Sequence, residues 1–384
     1  MGSKVLRIGV IGIGFIGKQH IEAIRRIPGT EVVAVSDSNE EMVKSVSEQL
    51  HIPSYYSDYK ELLKNETIDI VHNCTPSALH FEINKAIMKS GKHVYCEKPL
   101  TLNTNESEEL VRLAKEKGVA AGANFNYRHN AMVQEMHERV KNNSIGEVLV
   151  VHGQYLQDWL LYETDYDWRL DPKMGGESRA VSDIGSHCFD TMQYILNKKI
   201  ISVYANLITV YPVRKRTEKT GGTYSGQYGK VLEEIPIHSE DAAFIMVKFE
   251  NGIQGLFNLS QVGAGKKNGL SVTISGSTAS LEWDQERPDK LWVGHRDSGN
   301  EEIYAASGFL TGTAKRYALL PNGHPLGWAD ALKCAIQSFY ESILSGTCQE
   351  EKQNYATFAE GHYIMKLIEA CLLSNKQKRW IDIP

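Results

Sequence analysis

Asp183 and His187 stand four residues apart in a segment that follows Gly175-Gly176, and Lys98 lies in Glu97-Lys98-Pro99 just after the strand-like run His93-Val94-Tyr95-Cys96. An imidazole titrates near neutrality and takes a proton from a hydroxyl as a hydride leaves the carbon beneath it. A carboxylate one helical turn earlier orients that imidazole or the hydroxyl. A lysine ammonium stabilises the developing alkoxide, provided the loop after its strand meets the helix. These groups together suit oxidation of an alcohol. Asp and His four apart also occur as a plain pair on a helix surface, so spacing alone leaves both readings open.

The elements that would position these groups can be read along the chain. A helix over 183–196 puts Ile184, Cys188, Met192 and Ile195 on one stripe and Asp183, His187, Asp190 and Tyr194 on another face. Near the start, Arg7 to Ile11 reads as a buried strand running into Gly12-Ile13-Gly14-Phe15-Ile16-Gly17. Gly12 permits the tight turn, Gly14 lets backbone approach a pyrophosphate, and Gly17 allows a helix to pack closely on the strand. Phe15 and Ile16 open that helix, whose first N–H groups and positive dipole end favour phosphate. A second strand over 31–36 ends at Asp37, followed by Ser38. The Asp37 carboxylate suits both ribose hydroxyls of NAD and repels a 2′-phosphate. No Arg or Lys follows before Lys44, so NAD is favoured over NADP. His20, one turn into the helix, reads as a surface or packing residue.

Strand and helix signals alternate through the first third, as a parallel sheet requires. The strand over 68–74 runs into Thr75-Pro76, and His93 to Cys96 delivers Glu97, Lys98 and Pro99 to the same sheet edge, where doubly wound sheets bind ligands. From about Asn126 the pattern changes to strand-like runs over 147–155, 200–210, 242–249, 253–260, 270–275 and 279–283, with breaks at Asn251-Gly252 and Gly276-Ser277. The fold class is α/β. An N-terminal Rossmann domain with a doubly wound parallel sheet, residues 1–125, precedes an α+β domain, residues 126–384, with a largely antiparallel open sheet. The polar stretch from Tyr211 to Asp241, with Gly221-Gly222, is too long for an ordinary connection and reads as a lid, an oligomer arm or a disordered loop. Helices return over 329–344 and 355–373.

Composition bounds the rest. The 384 residues exceed what one core usually supports, and the formal net charge of -5 gives no basic footprint for nucleic acid. Arg214-Lys215-Arg216 reads as a solvated loop. Six scattered cysteines lack metal or disulfide spacing and read as free thiols of a reducing compartment; no metal site is expected. No secretion signal or long apolar run occurs, so no membrane contact and a cytoplasmic address are expected.

Tyr155, Asp158 and Trp159, with the stretch from Tyr162 to Arg169, set aromatic rings beside hydrogen-bonding groups just after a strand. That mixture suits a polyhydroxylated ring, whose C–H faces lie on aromatic surfaces. Aromatic residues at a strand end serve equally as core or as a subunit interface.

These residues resemble the Gfo/Idh/MocA oxidoreductases, named for glucose-fructose oxidoreductase and inositol 2-dehydrogenase, over essentially the whole chain. Glu97-Lys98-Pro99 is similar to the family's EKP motif, and Asp183 with His187 to its DxxxH pair. Thr75, Pro76 and His80 are similar to its loop beside the nicotinamide, and Trp168-Arg169 to a pair near the cofactor. Asn126-Tyr127-Arg128 stands where the family passes between its domains, with Asn130 where a proline is usual. The segment from His324 to Asp330 is similar to one that reaches back to the pocket. The resemblance implies Lys98, Asp183 and His187 as a catalytic triad, with His187 as base. It implies NAD contacts at Thr75, Pro76, His80, Glu97, Lys98, Asn126, Trp168 and Arg169. Substrate contacts fall at Lys98, Arg128, Tyr155, Asp158, Trp159, Asp183, His187 and His324. The implied substrate is a sugar, an anhydrosugar of levoglucosan type or a cyclitol, and the implied assembly a homodimer or homotetramer through the C-terminal sheet. Two other classes remain: a glycosidase that oxidises and re-reduces its substrate on bound NAD, and a non-catalytic dinucleotide sensor, against which the joint presence of Lys98, Asp183 and His187 argues.

Overall fold

The computed structural model describes residues 5–220, 227–348 and 353–384. Strand β1 (Leu6–Ile11) buries Leu6, Ile8, Val10 and Ile11 on both faces, as a strand between two helical layers must. It is followed by α1 (Phe15–Arg25), β2 (Thr30–Ser36), α2 (Glu40–Gln49), β3 (Ser54–Tyr56), α3 (Tyr59–Leu63), β4 (Ile70–Asn73), α4 (His80–Lys89), β5 (His93–Cys96), α5 (Thr104–Lys117) and β6 (Ala121–Ala123). The strands pair in parallel in the order β3-β2-β1-β4-β5-β6. This order reverses direction between β1 and β4, so a crevice opens at their carboxyl ends. Asn39, Asp58 and Asn103 cap α2, α3 and α5 by accepting a backbone N–H. At α1 the capping position holds Gly14, which has no side chain to offer.

Beyond the parallel sheet come α6 (Ala131–Lys141), β7 (Val148–Leu156), α7 (Pro172–Gly175), α8 (Ser186–Leu196), β8 (Ile200–Ile208), β9 (Val213–Thr220), β10 (Gln227–Pro236), β11 (Ala242–Phe249), β12 (Gln254–Ser260), β13 (Gly269–Gly276), β14 (Ser280–Asp284), β15 (Lys290–Gly294) and β16 (Glu301–Tyr304). Helices α9 (Trp328–Leu344) and α10 (Phe358–Gln377) and strand β17 (Ile381–Asp382) end the chain. The large sheet runs β16-β15-β14-β13-β7-β12-β11-β8-β17, with β7 and β12 parallel and the other pairs antiparallel. One face buries Val151, Ile245, Phe257, Leu259 and Val272 beneath Phe189, Met192 and Ile195 of α8. Phe189 meets Phe257 edge-on, with ring centres 5.4 Å apart. The other face leaves Phe244, Met246 and Leu256 more than two-fifths exposed.

Three expectations are corrected. The chain divides into two compact units, residues 1–126 with 329–365 and residues 127–328 with 366–384, rather than at 125/126 alone. Most of α9 belongs to the first unit because Phe339 stacks near Tyr95, at 5.1 Å, and Tyr340 hydrogen-bonds His72 at 2.7 Å. An apolar stripe on a helix does not say which sheet it will cover. Within the stretch from Tyr211 to Asp241, β9 and β10 pair as an antiparallel hairpin, while Gly221-Gly222 lie outside the described residues. Arg214 is not solvated: it is fully buried and donates to Asp241 at 2.6 Å. Burial would push the Asp241 carboxyl up, but the charges of Arg179 and Arg214 outweigh it and hold it below the usual carboxylate value. Removing one partner from such a set costs about 3–5 kcal/mol.

Candidate active site

In the first unit the glycine turn is built as its spacing demands. Gly12 has φ +83°, and a Cβ there would sit 2.7 Å from the Cys74 carbonyl carbon just past the neighbouring strand. A Cβ at Gly17 would overlap the Gly12 carbonyl oxygen. At Gly14, by contrast, a Cβ meets no atom within 4 Å among the described residues, so the backbone there faces open space. Asp37 bends back to this turn, accepting the Ile13 N–H at 3.0 Å and the Asn39 N–H at 3.1 Å. Asn126 keeps a buried side-chain nitrogen with no hydrogen-bond partner among the described residues. An open glycine backbone at an uncapped helix start, a carboxylate at the end of β2 and a spare amide donor fit a dinucleotide. Gly12→Ala is expected to raise KM for NAD about tenfold and to lower Tm by several degrees, since strain at such a position costs about 1–3 kcal/mol. Steady-state kinetics and a melting curve check this, and an unchanged KM would remove the turn from the cofactor site.

Thr75 binds back to Asn73 Oδ1 through its hydroxyl at 2.7 Å, and Pro76 precedes the short turn into α4. His80, expected as a cofactor contact, is buried beside the loops after β4 and β5. Its two ring nitrogens lie 2.8 Å from the Pro99 and Thr75 carbonyls, so the imidazole ties the loops after β4 and β5 together. Glu97 accepts the Asn124 amide at 2.5 Å and the Lys98 backbone N–H at 3.2 Å. His20, expected as packing or surface, is buried and lies 2.9 Å from Glu97 Oε1. Lys98 itself is half-buried, and Ser38 is exposed.

In the second unit a wide π-helical turn, Val181–Gly185, precedes α8, so the helix begins two residues earlier than expected. Its start is capped from a distance: Glu240 Oε1 accepts the N–H groups of Arg179 at 3.0 Å and Val181 at 2.8 Å, and the Ser178 hydroxyl at 2.7 Å. Asp183 sits in the wide turn. Its Oδ2 accepts the Gln261 amide at 2.9 Å, and its Oδ1 lies 3.5 Å from Arg169 Nε. Arg179 in turn donates to the Gln261 oxygen at 3.1 Å, which fixes that amide's orientation. His187 is buried, with the Tyr127 ring edge-on at 4.7 Å and the Tyr155 ring at 6.2 Å. The two tyrosine hydroxyls lie 2.9 Å apart, and Asn268 bonds both. Burial pushes the Tyr127 hydroxyl up to about 12 and the Tyr155 hydroxyl well above its ordinary value, so both are neutral donors.

The structure therefore gathers Asp183, His187, Arg169 and Tyr155. Trp168 lies against the Arg169 guanidinium, 4.4 Å from ring centre to carbon. Asp158 and Trp159 are drawn instead to the loop between β12 and β13, through Lys267 Nζ at 2.5 Å and the Lys267 carbonyl at 2.9 Å. His324 is exposed and turned to the Pro321 carbonyl at 3.1 Å. Arg128, expected as a substrate contact, is only 4% exposed and binds both carboxylate oxygens of Asp190. A buried guanidinium requires that pairing, and Asp190 supplies it from α8. Three residues at this site were missed, Tyr127, Gln261 and Asn268. Gln261 and Asn268 flank β12 and β13, whose pairing with β7 places them beside Tyr155 and Asp183, and nothing local in the sequence marks them.

The chain matches the oxidoreductase family's NAD-binding Rossmann fold over residues 6–125 and the GFO/IDH/MocA C-terminal domain over residues 133–282. It belongs to the Gfo/Idh/MocA family of oxidoreductases. It is 26% identical to the levoglucosan dehydrogenase of Pseudarthrobacter phenanthrenivorans, covering 99% of this chain and 98% of that one. The myo-inositol 2-dehydrogenase of Thermotoga maritima is 29% identical over 67% of this chain and 69% of its own. Among solved structures, a levoglucosan dehydrogenase in complex with NADH and levoglucosan superposes with a TM-score of 0.88 at 25% identity, covering 99% of each chain.

Proposed function

We propose that this enzyme moves a hydride between a secondary hydroxyl of a sugar, anhydrosugar or cyclitol and NAD, with Lys98, Asp183 and His187 as its catalytic residues. The observation that carries the reading is the second unit's cluster, in which a buried imidazole lies between tyrosine rings beside a carboxylate held by Gln261 and Arg169. Rings flank the imidazole as they would the C–H face of a sugar, and neutral hydroxyls and carboxylate supply partners for its hydroxyls. NAD, held by the glycine turn, Asp37 and Asn126, supplies the hydride acceptor. His187 takes the hydroxyl proton, Asp183 orients the imidazole, and Lys98 stabilises the charge developing on the oxygen. Arg169, Trp168, Tyr155, Asp158, Trp159 and His324 complete the proposed contacts to cofactor and substrate.

The kinship to levoglucosan and myo-inositol dehydrogenases supports this substrate class. A panel of sugars, anhydrosugars and cyclitols with NAD, followed by NADH absorbance, tests it. Release of an aglycone without NADH accumulation would replace the reading with a glycosidase, and NAD binding without turnover of any ring would point to a sensor. Asp37→Ala is expected to narrow the preference for NAD over NADP by about tenfold in kcat/KM, the worth of one hydrogen bond to a charged group. Equal efficiency of the unmodified enzyme with both cofactors would sink this assignment.

The apolar sheet face bearing Phe244, Met246 and Leu256 supports assembly as a homodimer or homotetramer, which light scattering tests. Six free thiols, five of them buried, support a reducing, cytoplasmic location.

A further inference from the structure

Behind the loop that carries Lys98, the first unit sets four polar side chains in one buried line. His20 on α1 lies with Nε2 2.9 Å from Glu97 Oε1 and Nδ1 2.8 Å from Nδ1 of His72 on β4. His72 Nε2 lies 2.7 Å from the hydroxyl of Tyr340 on α9. None of the four is more than 8% exposed. Two imidazole nitrogens that face each other share a single proton, and an ionised carboxylate only accepts. Burial would push the Glu97 carboxyl up, but the hydrogen bonds of His20 and Asn124 and the nearby Lys98 charge oppose it and hold it well below the usual carboxylate value. His20 Nε2 therefore carries a proton. With both rings neutral, His20 Nδ1 accepts from His72 Nδ1–H, and His72 Nε2 accepts from the Tyr340 hydroxyl. Burial holds His72 well below its ordinary value and pushes Tyr340 well above its own, so the His72 ring is neutral and the Tyr340 hydroxyl keeps its proton, as this arrangement requires. Every bond in the line then points toward Glu97.

We propose that His20, His72 and Tyr340 are positioning residues that keep Glu97 ionised and, through it, hold the backbone of Lys98 in place, with His72 fixed as its Nδ1–H tautomer. Glu97 Oε2 accepts the Lys98 N–H, while Oε1 takes His20 and Asn124. Losing the His20 donor leaves desolvation of Glu97 with less to oppose it, so its carboxyl titrates higher. A neutral Glu97 binds the Lys98 N–H more weakly. The other titratable groups around the line are Cys74 after β4, Cys96 and Tyr95 on β5, His80 on α4 and Lys98 itself. Burial keeps the two thiols neutral, so the Glu97 carboxyl is the group in this line whose ionisation moves to higher pH when His20 is lost.

Two measurements on the full chain test this, and the kinetic one rests on the proposed role of Lys98. His20→Phe is expected to lower kcat about tenfold, the size of one hydrogen bond to a charged group. It should add an acid limb absent from the parent and leave KM for NAD within about twofold, because the glycine turn stays intact. Adding Glu97→Gln to His20→Phe should abolish that limb. A pH profile of His20→Phe that parallels the parent's, or a limb that survives Glu97→Gln, would overturn the proposal. The second measurement is the nitrogen-15 spectrum of histidine-labelled parent protein. It should show His72 as the neutral Nδ1–H tautomer across the neutral range, identified by the shift of its Nε2 resonance in Tyr340→Phe. An Nε2–H tautomer or an imidazolium at His72 refutes the arrangement even where His20→Phe does not fold. That spectrum is independent of turnover, so a failure of Lys98 as a catalytic residue remains distinguishable from a failure of the network.

Discussion

Lys98→Ala is expected to lower kcat by about 100-fold or more while NAD still binds, because a positioned cation at a developing oxyanion is worth about 2.7–4 kcal/mol. The side chain follows a short buried strand, and its backbone is fixed on both sides: Glu97 accepts the Lys98 N–H, and His80 holds the Pro99 carbonyl. The ammonium is thus carried by a loop with little freedom to wander, which is what lets a point charge act on one atom. Loss of that charge should leave the glycine turn and Asp37 untouched, so the cofactor's dissociation constant, read by fluorescence titration, should stay within about twofold. Lys98→Arg should recover little, since the planar guanidinium is longer and spreads its charge. Near-parent turnover in Lys98→Ala would make this lysine a surface residue. A joint variant, Lys98→Ala with His187→Gln, adds a further test: if both act on one hydroxyl, the combined loss falls well short of the product of the single losses.

What was legible in the sequence was what depends on short spacing. Gly12, Gly14, Gly17 and Asp37 announce themselves because a turn, a helix start and a strand end fix their relative places within about thirty residues, and the structure bears out the turn in the φ of Gly12 and the open face at Gly14. Asp183 and His187 were visible for the same reason, one helical turn apart. What was hidden depends on partners far along the chain. Gln261 orients Asp183 only because β12 pairs with β7 in the register that sets Ser260 opposite Leu156. Arg214 sits in a run of three basic residues, where local composition indicates solvent, yet Asp241 and three backbone carbonyls take it into the core. His20 could not be separated from a packing residue until Glu97, after β5, and His72, on β4, were seen to meet its two ring nitrogens, with Tyr340 of α9 behind His72. Burial decides each of these cases, and burial is a property of the whole fold.

His187→Gln carries the largest expected effect. A general base contributes about 10²–10⁴-fold, and glutamine keeps hydrogen-bonding capacity without basicity, so oxidation should slow by that factor while NAD remains bound by the first unit. The sign of the pH dependence follows from which form works. Only neutral imidazole accepts a proton, so kcat/KM for oxidation should rise with pH through the imidazole's ionisation and level above it. A carboxylate facing the ring would stabilise its protonated form, and Asp183, tied to Gln261 and Arg169, is the carboxylate proposed for that role. Asp183→Asn removes that charge, so the rising limb should move to lower pH even as misorientation of the imidazole lowers the plateau. Gln261→Leu leaves the carboxylate without its amide donor and should lower the plateau by a smaller factor, about tenfold. Tyr127 and Tyr155 do not explain such a limb, since burial holds their hydroxyls far above neutrality. The competing account has Lys98, or a water, taking the proton while His187 only binds a substrate hydroxyl. The profile of His187→Gln separates the two: disappearance of the limb assigns the proton to His187, whereas an unchanged ionisation at reduced rate transfers the role to another group.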